Sequence, residues 1–210
     1  MIRNKDDLKY YLDADEYVLN RAREKPRIYD QIWKFQILLR KVEYFSNIEA
    51  TIVNRGFLRI YQIRKHWLGI KLGFDIPVNV FGAGLRINHF GNIVVNGSAQ
   101  IGMWCDIHQG VNIGSNNSKN GSPLVPKIGS NVWIGPGAKI FGEIVVGDEV
   151  QIGANSVVSK SVESNTTVVG IPAKKISDKG TDGVDVAASK SRMLKFIEIY
   201  PQYKLRFKNI

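Results

Sequence analysis

The chain has 210 residues, 44% of them hydrophobic and 23% charged, with a formal net charge of +10. That composition suits an ordinary soluble globular protein with one main domain and appendages, and no apolar run approaches the roughly 18 residues that a membrane span needs. The one cysteine, Cys105, excludes an intramolecular disulfide and fits a reducing compartment, so a cytoplasmic location is expected.

The charge is unevenly placed. Residues 1–75 carry 15 Lys/Arg against 10 Asp/Glu, residues 76–178 carry 7 against 6, and residues 179–210 carry 7 against 3. A nucleic-acid reader places a basic stripe on its working domain, and here the middle is nearly neutral, so nucleic acid is not an expected partner. Basic ends suit an anionic partner or peripheral contact with a membrane surface.

In chain order, Met1 to Asp7 has no apolar core of the kind a signal peptide carries. Residues 1–72 read as a helical region. Lys5 to Asn20 and Pro26 to Phe45 carry apolar residues at helical spacing, among them Ile32, Phe35, Leu38, Leu39, Val42 and Phe45. Asn4 or Asp6 can cap the first helix, and Pro26 falls between the two. Ile52 to Ile70 is basic and aromatic, and reads as a third helix lying against the start of the next region.

Residues 73–178 hold a period of six. Val95, Ile101, Ile107 and Ile113 are spaced by six, and the series resumes at Ile128, Ile134, Ile140, Val146, Ile152 and Val158. Four residues beyond each lies a mostly small or apolar residue, such as Ala99, Cys105, Val111, Val132 and Ala138. A helix would scatter this spacing around its cylinder. The pattern predicts a mainly β chain: a parallel β-helix of short strands, three per coil of ~18 residues, each aliphatic stacked on its equivalent in the next coil. The helical region would cap its open end. Ser115 to Lys127 interrupts the repeat with Asn, Ser, Gly and Pro, an insertion loop that can close over a ligand. Gly170-Ile171-Pro172 ends the repeat. Residues 179–210 read as a polar linker, Lys179 to Ser189, and a tail in which Met193 to Tyr200 with Lys195, Lys204, Arg206 and Lys208 is amphipathic.

Three histidines are available, His66, His89 and His108. His89 lies where the register slips, since the core series needs eight residues to pass from Ile87 to Val95. It therefore stands on a distorted corner. A histidine there can serve as a general base toward a hydroxyl or simply bond a neighbouring loop. Asp75 is the candidate orienter of its imidazole. His108 follows the stacked Ile107, faces outward and can line the same groove beside Asp106. No pair of histidines has the short spacing of metal ligands, so no metal is expected. Cys105 occupies a small-residue core position and is expected to be buried and inert.

Several stretches carry a resemblance. Gly84-Leu85-Arg86-Ile87-Asn88-His89, Gly91-Asn92-Ile93-Val94-Val95-Asn96, Ile107-His108-Gln109-Gly110-Val111-Asn112-Ile113-Gly114, Val132-Trp133-Ile134-Gly135-Pro136-Gly137-Ala138-Lys139-Ile140 and Gly170-Ile171-Pro172-Ala173-Lys174-Lys175-Ile176 resemble the hexapeptide-repeat acyltransferases, most closely their serine acetyltransferase-like branch. The resemblance implies a left-handed β-helix, a homotrimer, acetyl-CoA as co-substrate between subunits, and direct transfer to an acceptor hydroxyl. It assigns His89 as general base and Asp75, one position short of the family spacing, as its partner. Coenzyme contacts fall near Gly114, Gly135, Ala154, Lys174 and Lys175, and Lys160 and Lys175 suit phosphates by charge. Asn88, Asp106 and His108 are the expected acceptor-side residues.

Two departures bear on the acceptor. Asn88 stands where serine acetyltransferases have an aspartate, and Leu124-Val125 replace an Arg-His pair before Pro126-Lys127-Ile128. A small zwitterion needs charged partners. A sugar hydroxyl of a surface polysaccharide or its precursor is therefore the expected acceptor, with serine O-acetylation and a non-catalytic trimeric scaffold as alternatives.

Overall fold

The computed structural model describes residues 1–21, 25–116, 123–184 and 186–207. Three helices come first: α1 (Lys5–Val18), α2 (Gln31–Asn47) and α3 (Ile52–Leu72). Asn4 caps α1 by accepting from the Asp7 N–H at 2.8 Å, and Thr51 caps α3. The second helix starts later than its apolar period suggests. Asp30 accepts from the Arg27 N–H and holds a turn ahead of it. Gly73, left-handed at φ 75°, ends α3 and turns the chain into the first strand.

A three-sided parallel solenoid comes next. One side comprises β1 (Phe74–Asp75), β3 (Ile93–Val95), β6 (Asn112–Gly114), β9 (Lys139–Phe141) and β12 (Val157–Val158). The second comprises β4 (Gln100–Ile101), β7 (Lys127–Ile128) and β10 (Val145–Val146). The third comprises β2 (Arg86–Ile87), β5 (Asp106–Ile107), β8 (Trp133–Ile134), β11 (Gln151–Ile152), β13 (Thr167–Gly170) and the antiparallel β14 (Ala173–Ser177). Register pairs Ile87 with Ile107, Ile107 with Ile134, and Ile152 with Ile134 and Val168. These residues are at most 4% exposed. The period of six is this stack. Each coil buries its aliphatic residues only against its neighbours. Because the strands are two to five residues long, the helices hold more of the chain than the strands do; "mainly β" describes the scaffold, not the residue count.

The helical region is bolted to the first coil by a buried charge cluster. Arg40, fully buried, donates to Asp15 Oδ2 at 2.8 Å, to Glu43 Oε2 at 3.0 Å and to the carbonyls of Phe81 and Gly82. Asp15 Oδ1 also accepts from the N–H groups of Gly84 and Leu85, both at 2.9 Å. These bonds fix the segment leading directly into β2.

Of the stretch 179–189, expected as a polar linker, Gly180, Thr181 and residues 187–189 instead pack on the third side. Thr181, Ala187, Ala188 and Ser189 are at most 2% exposed, and Asn131 Nδ2 donates to the Ala188 carbonyl at 2.9 Å. Small side chains let this segment lie flat on the sheet. The chain then forms α4 (Lys190–Ile199) and a 3-10 turn, Pro201–Phe207. Met193, Phe196, Tyr203 and Phe207 pack with Tyr10 and Trp104, so the apolar face of the tail is used internally. Most of the Asn/Ser/Gly run in the insertion, 117–122, and Lys208 lie outside the described residues.

Candidate active site

The corner between β2 and β3 carries the candidate base. His89 is exposed, as a corner residue outside the stacked core must be. Gly91, at φ +127°, lets the corner turn, and its N–H bonds the Leu72 carbonyl at 2.9 Å.

Beside His89 stands His108, just past β5, with ring centroids 6.2 Å apart. Asn88 Nδ2 lies 3.2 Å from His108 Nδ1. His108 Nε2 lies 3.4 Å from the same Asn88 nitrogen and 3.6 Å from Asp106 Oδ1, and Trp133 packs edge-on at 5.1 Å. Asp106 is 1% exposed. Its Oδ2 accepts from Arg86 Nη1 at 3.0 Å, and the Ala187 backbone also bonds the carboxyl. The structure therefore gathers His89, Asn88, His108 and Asp106 at one place. Asp106 is more deeply covered than an outward strand position suggests, because the segment around Ala187 lies over it.

Burial pushes the Asp106 carboxyl upward, against the pull of Arg86 and His108. Burial likewise holds His108 below the ordinary imidazole range, opposed by Asp106. His108 is thus favoured as a neutral imidazole whose charge state answers to Asp106. Replacing Asp106 by asparagine removes the raising influence, so the His108 titration followed by NMR moves to lower pH; an unmoved titration contradicts this coupling.

Arg86 and Trp133 are site residues that the sequence reading missed. Both immediately precede a stacked isoleucine, and the register places Arg86 and Trp133 on either side of Asp106. Opposite charges facing across adjacent strands are a legible signal once the coils are aligned. A cavity of about 600 Å³ opens here, lined by Arg86, Asn88, Phe90, Trp33, Tyr29 and Arg21 among others.

Asp75 is exposed on β1, which pairs with β3 just past the His89 corner, and lines a hollow with Lys65, His66 and Asn92. No hydrogen bond joins it to His89 among the described residues. The expected coenzyme residues fall in three places. Lys160, Lys174 and Lys175 line one cavity of about 350 Å³ on the last coil, with Lys175 paired to Asp178 at 2.5 Å. Gly135 and the exposed Ala154 are adjacent on the third side, where a side chain at 135 would meet the Ala154 nitrogen. Gly114 ends β6 opposite Phe141. No three His, Cys, Asp or Glu side chains converge as metal ligands among the described residues. Cys105 is 1% exposed, and burial holds its thiol well above the usual range.

A three-sided parallel solenoid of six-residue steps with histidines on one corner defines a hexapeptide-type transferase. The model for the bacterial transferase hexapeptide family (six repeats) matches residues 126–160. The serine acetyltransferase of Synechococcus elongatus is 34% identical, covering 73% of this chain and 68% of its own. Among solved structures, the serine acetyltransferase of Brucella abortus superimposes with a TM-score of 0.61 at 28% identity, over 83% of this chain and 69% of that one. A serine acetyltransferase in complex with CoA does so at 0.61 and 26%, over 81% and 68%. The chain belongs to the hexapeptide-repeat acyltransferase family, on its serine acetyltransferase-like branch. It spans about two thirds of the length of the curated relatives it matches.

These relatives overturn the expected sugar acceptor. That expectation rested on charge missing at two positions, Asn88 and Leu124-Val125. Next to Asn88 stands a charged pair that this expectation did not weigh, Arg86 with the buried Asp106 at 3.0 Å.

Proposed function

We propose that this chain is an acetyl-CoA-dependent serine O-acetyltransferase. The observation that carries the reading is its likeness to serine acetyltransferases both in sequence and in fold. In this reading the solenoid winds left-handed and three copies assemble with the sites between them. His89, exposed beside the cavity, accepts the proton of the serine hydroxyl as the serine oxygen attacks the thioester carbonyl of acetyl-CoA. The tetrahedral adduct expels the thiolate of coenzyme A, which takes up that proton as His89 returns it. No acyl-enzyme forms.

His108 and Asn88 line the acceptor side, and Asp106 holds His108. Arg86 brings a cation to the cavity mouth, suited to the amino-acid carboxylate. Asp75, across the corner, is assigned the smaller role of an electrostatic neighbour. On the last coil, Lys160, Lys174 and Lys175 suit the phosphates of the coenzyme, and the small residues Gly114, Gly135 and Ala154 leave backbone groups open to its pantetheine arm.

Asn88 tests the acceptor directly. An amide meets an ammonium less strongly than a carboxylate does, and a charge-assisted bond contributes about 1.5–3 kcal/mol. Asn88→Asp should therefore raise kcat/KM for L-serine by about tenfold or more, read in steady-state kinetics. A variant that gains nothing with serine counts against an ammonium at this position.

A further inference from the structure

We propose that the outward face of α3 docks on an anionic phospholipid surface. The helix packs inward through Leu58, Tyr61, Lys65, Leu68, Gly69 and Leu72, with Phe57 stacked on Phe45 at the margin. Tyr61 stacks on Phe45, and Lys65 turns inward to the Ile76 carbonyl at 2.6 Å. The opposite stripe is apolar and open to solvent: Ile52 is 90% exposed, Trp67 66%, Ile70 60%, Ile60 53% and Ile63 47%. At 100° per residue these five fall within one outward arc, with exposed Arg55 and Arg59 along one flank and exposed Arg64 and Lys71 along the other.

The charge identifies the occupant. α3 contains no aspartate or glutamate in 21 residues. Beside Trp67 and Ile63, a groove of about 640 Å³ runs between α2 and α3, lined by Lys34, Lys41, Arg64 and Lys71 and, among the described residues, by no carboxylate. An apolar ridge flanked by cations, with a tryptophan at its edge, matches a helix lying in a membrane interface, its ridge in the acyl boundary and its cations among the phosphates. A second copy of the helix is a poor occupant, because α3 on α3 would set these cations against themselves. The stripe from Ile52 to Ile70 is ~27 Å long, and no helix of the described chain is long and apolar enough to cross a membrane, so the contact lies along the surface.

The test is flotation of the full chain with vesicles of phosphatidylcholine alone and of phosphatidylcholine mixed with phosphatidylglycerol. The expected result is co-flotation with the anionic vesicles only, released by high salt. Ile63→Glu with Trp67→Glu should abolish it. Lys41→Glu with Arg64→Glu, which leaves the apolar ridge intact, should lower partitioning at least about tenfold. Circular dichroism and unchanged acetyl transfer establish that the variants are folded. The proposal is overturned if the wild-type chain stays unbound with anionic vesicles at low salt, or if the ridge variant floats as well as the wild type. It is equally overturned if the wild type fails to float and the ridge variant changes only the oligomeric state in sedimentation, which assigns the face to a second copy.

Discussion

His89→Ala is expected to lower kcat for acetyl transfer by at least ~100-fold, the scale of a lost general base. The argument is positional. His89 is exposed on the corner between β2 and β3, makes no hydrogen bond that holds the fold among the described residues, and faces His108 across 6.2 Å. Its loss removes a proton acceptor without opening a cavity, so the thermal midpoint should not move. Asp75→Asn should impair turnover less, since Asp75 sits in a separate hollow with Lys65 and His66. A fully active His89→Ala chain would remove this residue from the mechanism, and an Asp75→Asn chain as impaired as His89→Ala would make Asp75 the essential partner.

Arg40→Met is expected to destabilise the fold by about 3–5 kcal/mol, the range for stripping one partner from a buried ion pair. Arg40, Asp15 and Glu43 are all at most 2% exposed, so the substitution leaves two carboxylates buried without their cation. Burial already pushes the Asp15 carboxyl up, opposed chiefly by Arg40. Without Arg40 that opposition is gone and the folded-state pKa of Asp15 rises further. A carboxyl raised above its unfolded value binds protons more readily when folded, so the stability of the variant falls as pH rises from its unfolded pKa through the folded one. The deficit against wild type should therefore be larger at pH 8 than at pH 5, measured by denaturant unfolding at both. A deficit under about 1 kcal/mol at pH 8 would show that the cluster does not bolt the helices to the first coil.

The solenoid was legible because its core is narrow. Ile107, Ile134 and Ile152 can stack only if the chain returns to the same side with a fixed step, and that constraint writes a period into the residues. The corner position of His89 was legible for the same reason, as a break in that period. What depends on register across distant residues was not. Arg86 meets Asp106 only after a full coil has been wound, and Arg40 meets Asp15 only when two helices pack. The covering of the third side by Thr181 and residues 187–189 escaped because Thr181, Ala187 and Ala188 carry little hydrophobicity, although a flat sheet face accepts small residues well. The acceptor was misread for a related reason. Asn88 and Leu124-Val125 read as lost charge, while the Arg86–Asp106 pair next to Asn88 comes together only through the register of β2 on β5.

The most direct test of the account is a free-thiol release assay with acetyl-CoA, run with L-serine against a panel of sugars and oligosaccharides. Rapid thiol release with L-serine, absent in the His89→Ala chain, is the predicted result. Release with a saccharide and none with serine would contradict the central claim.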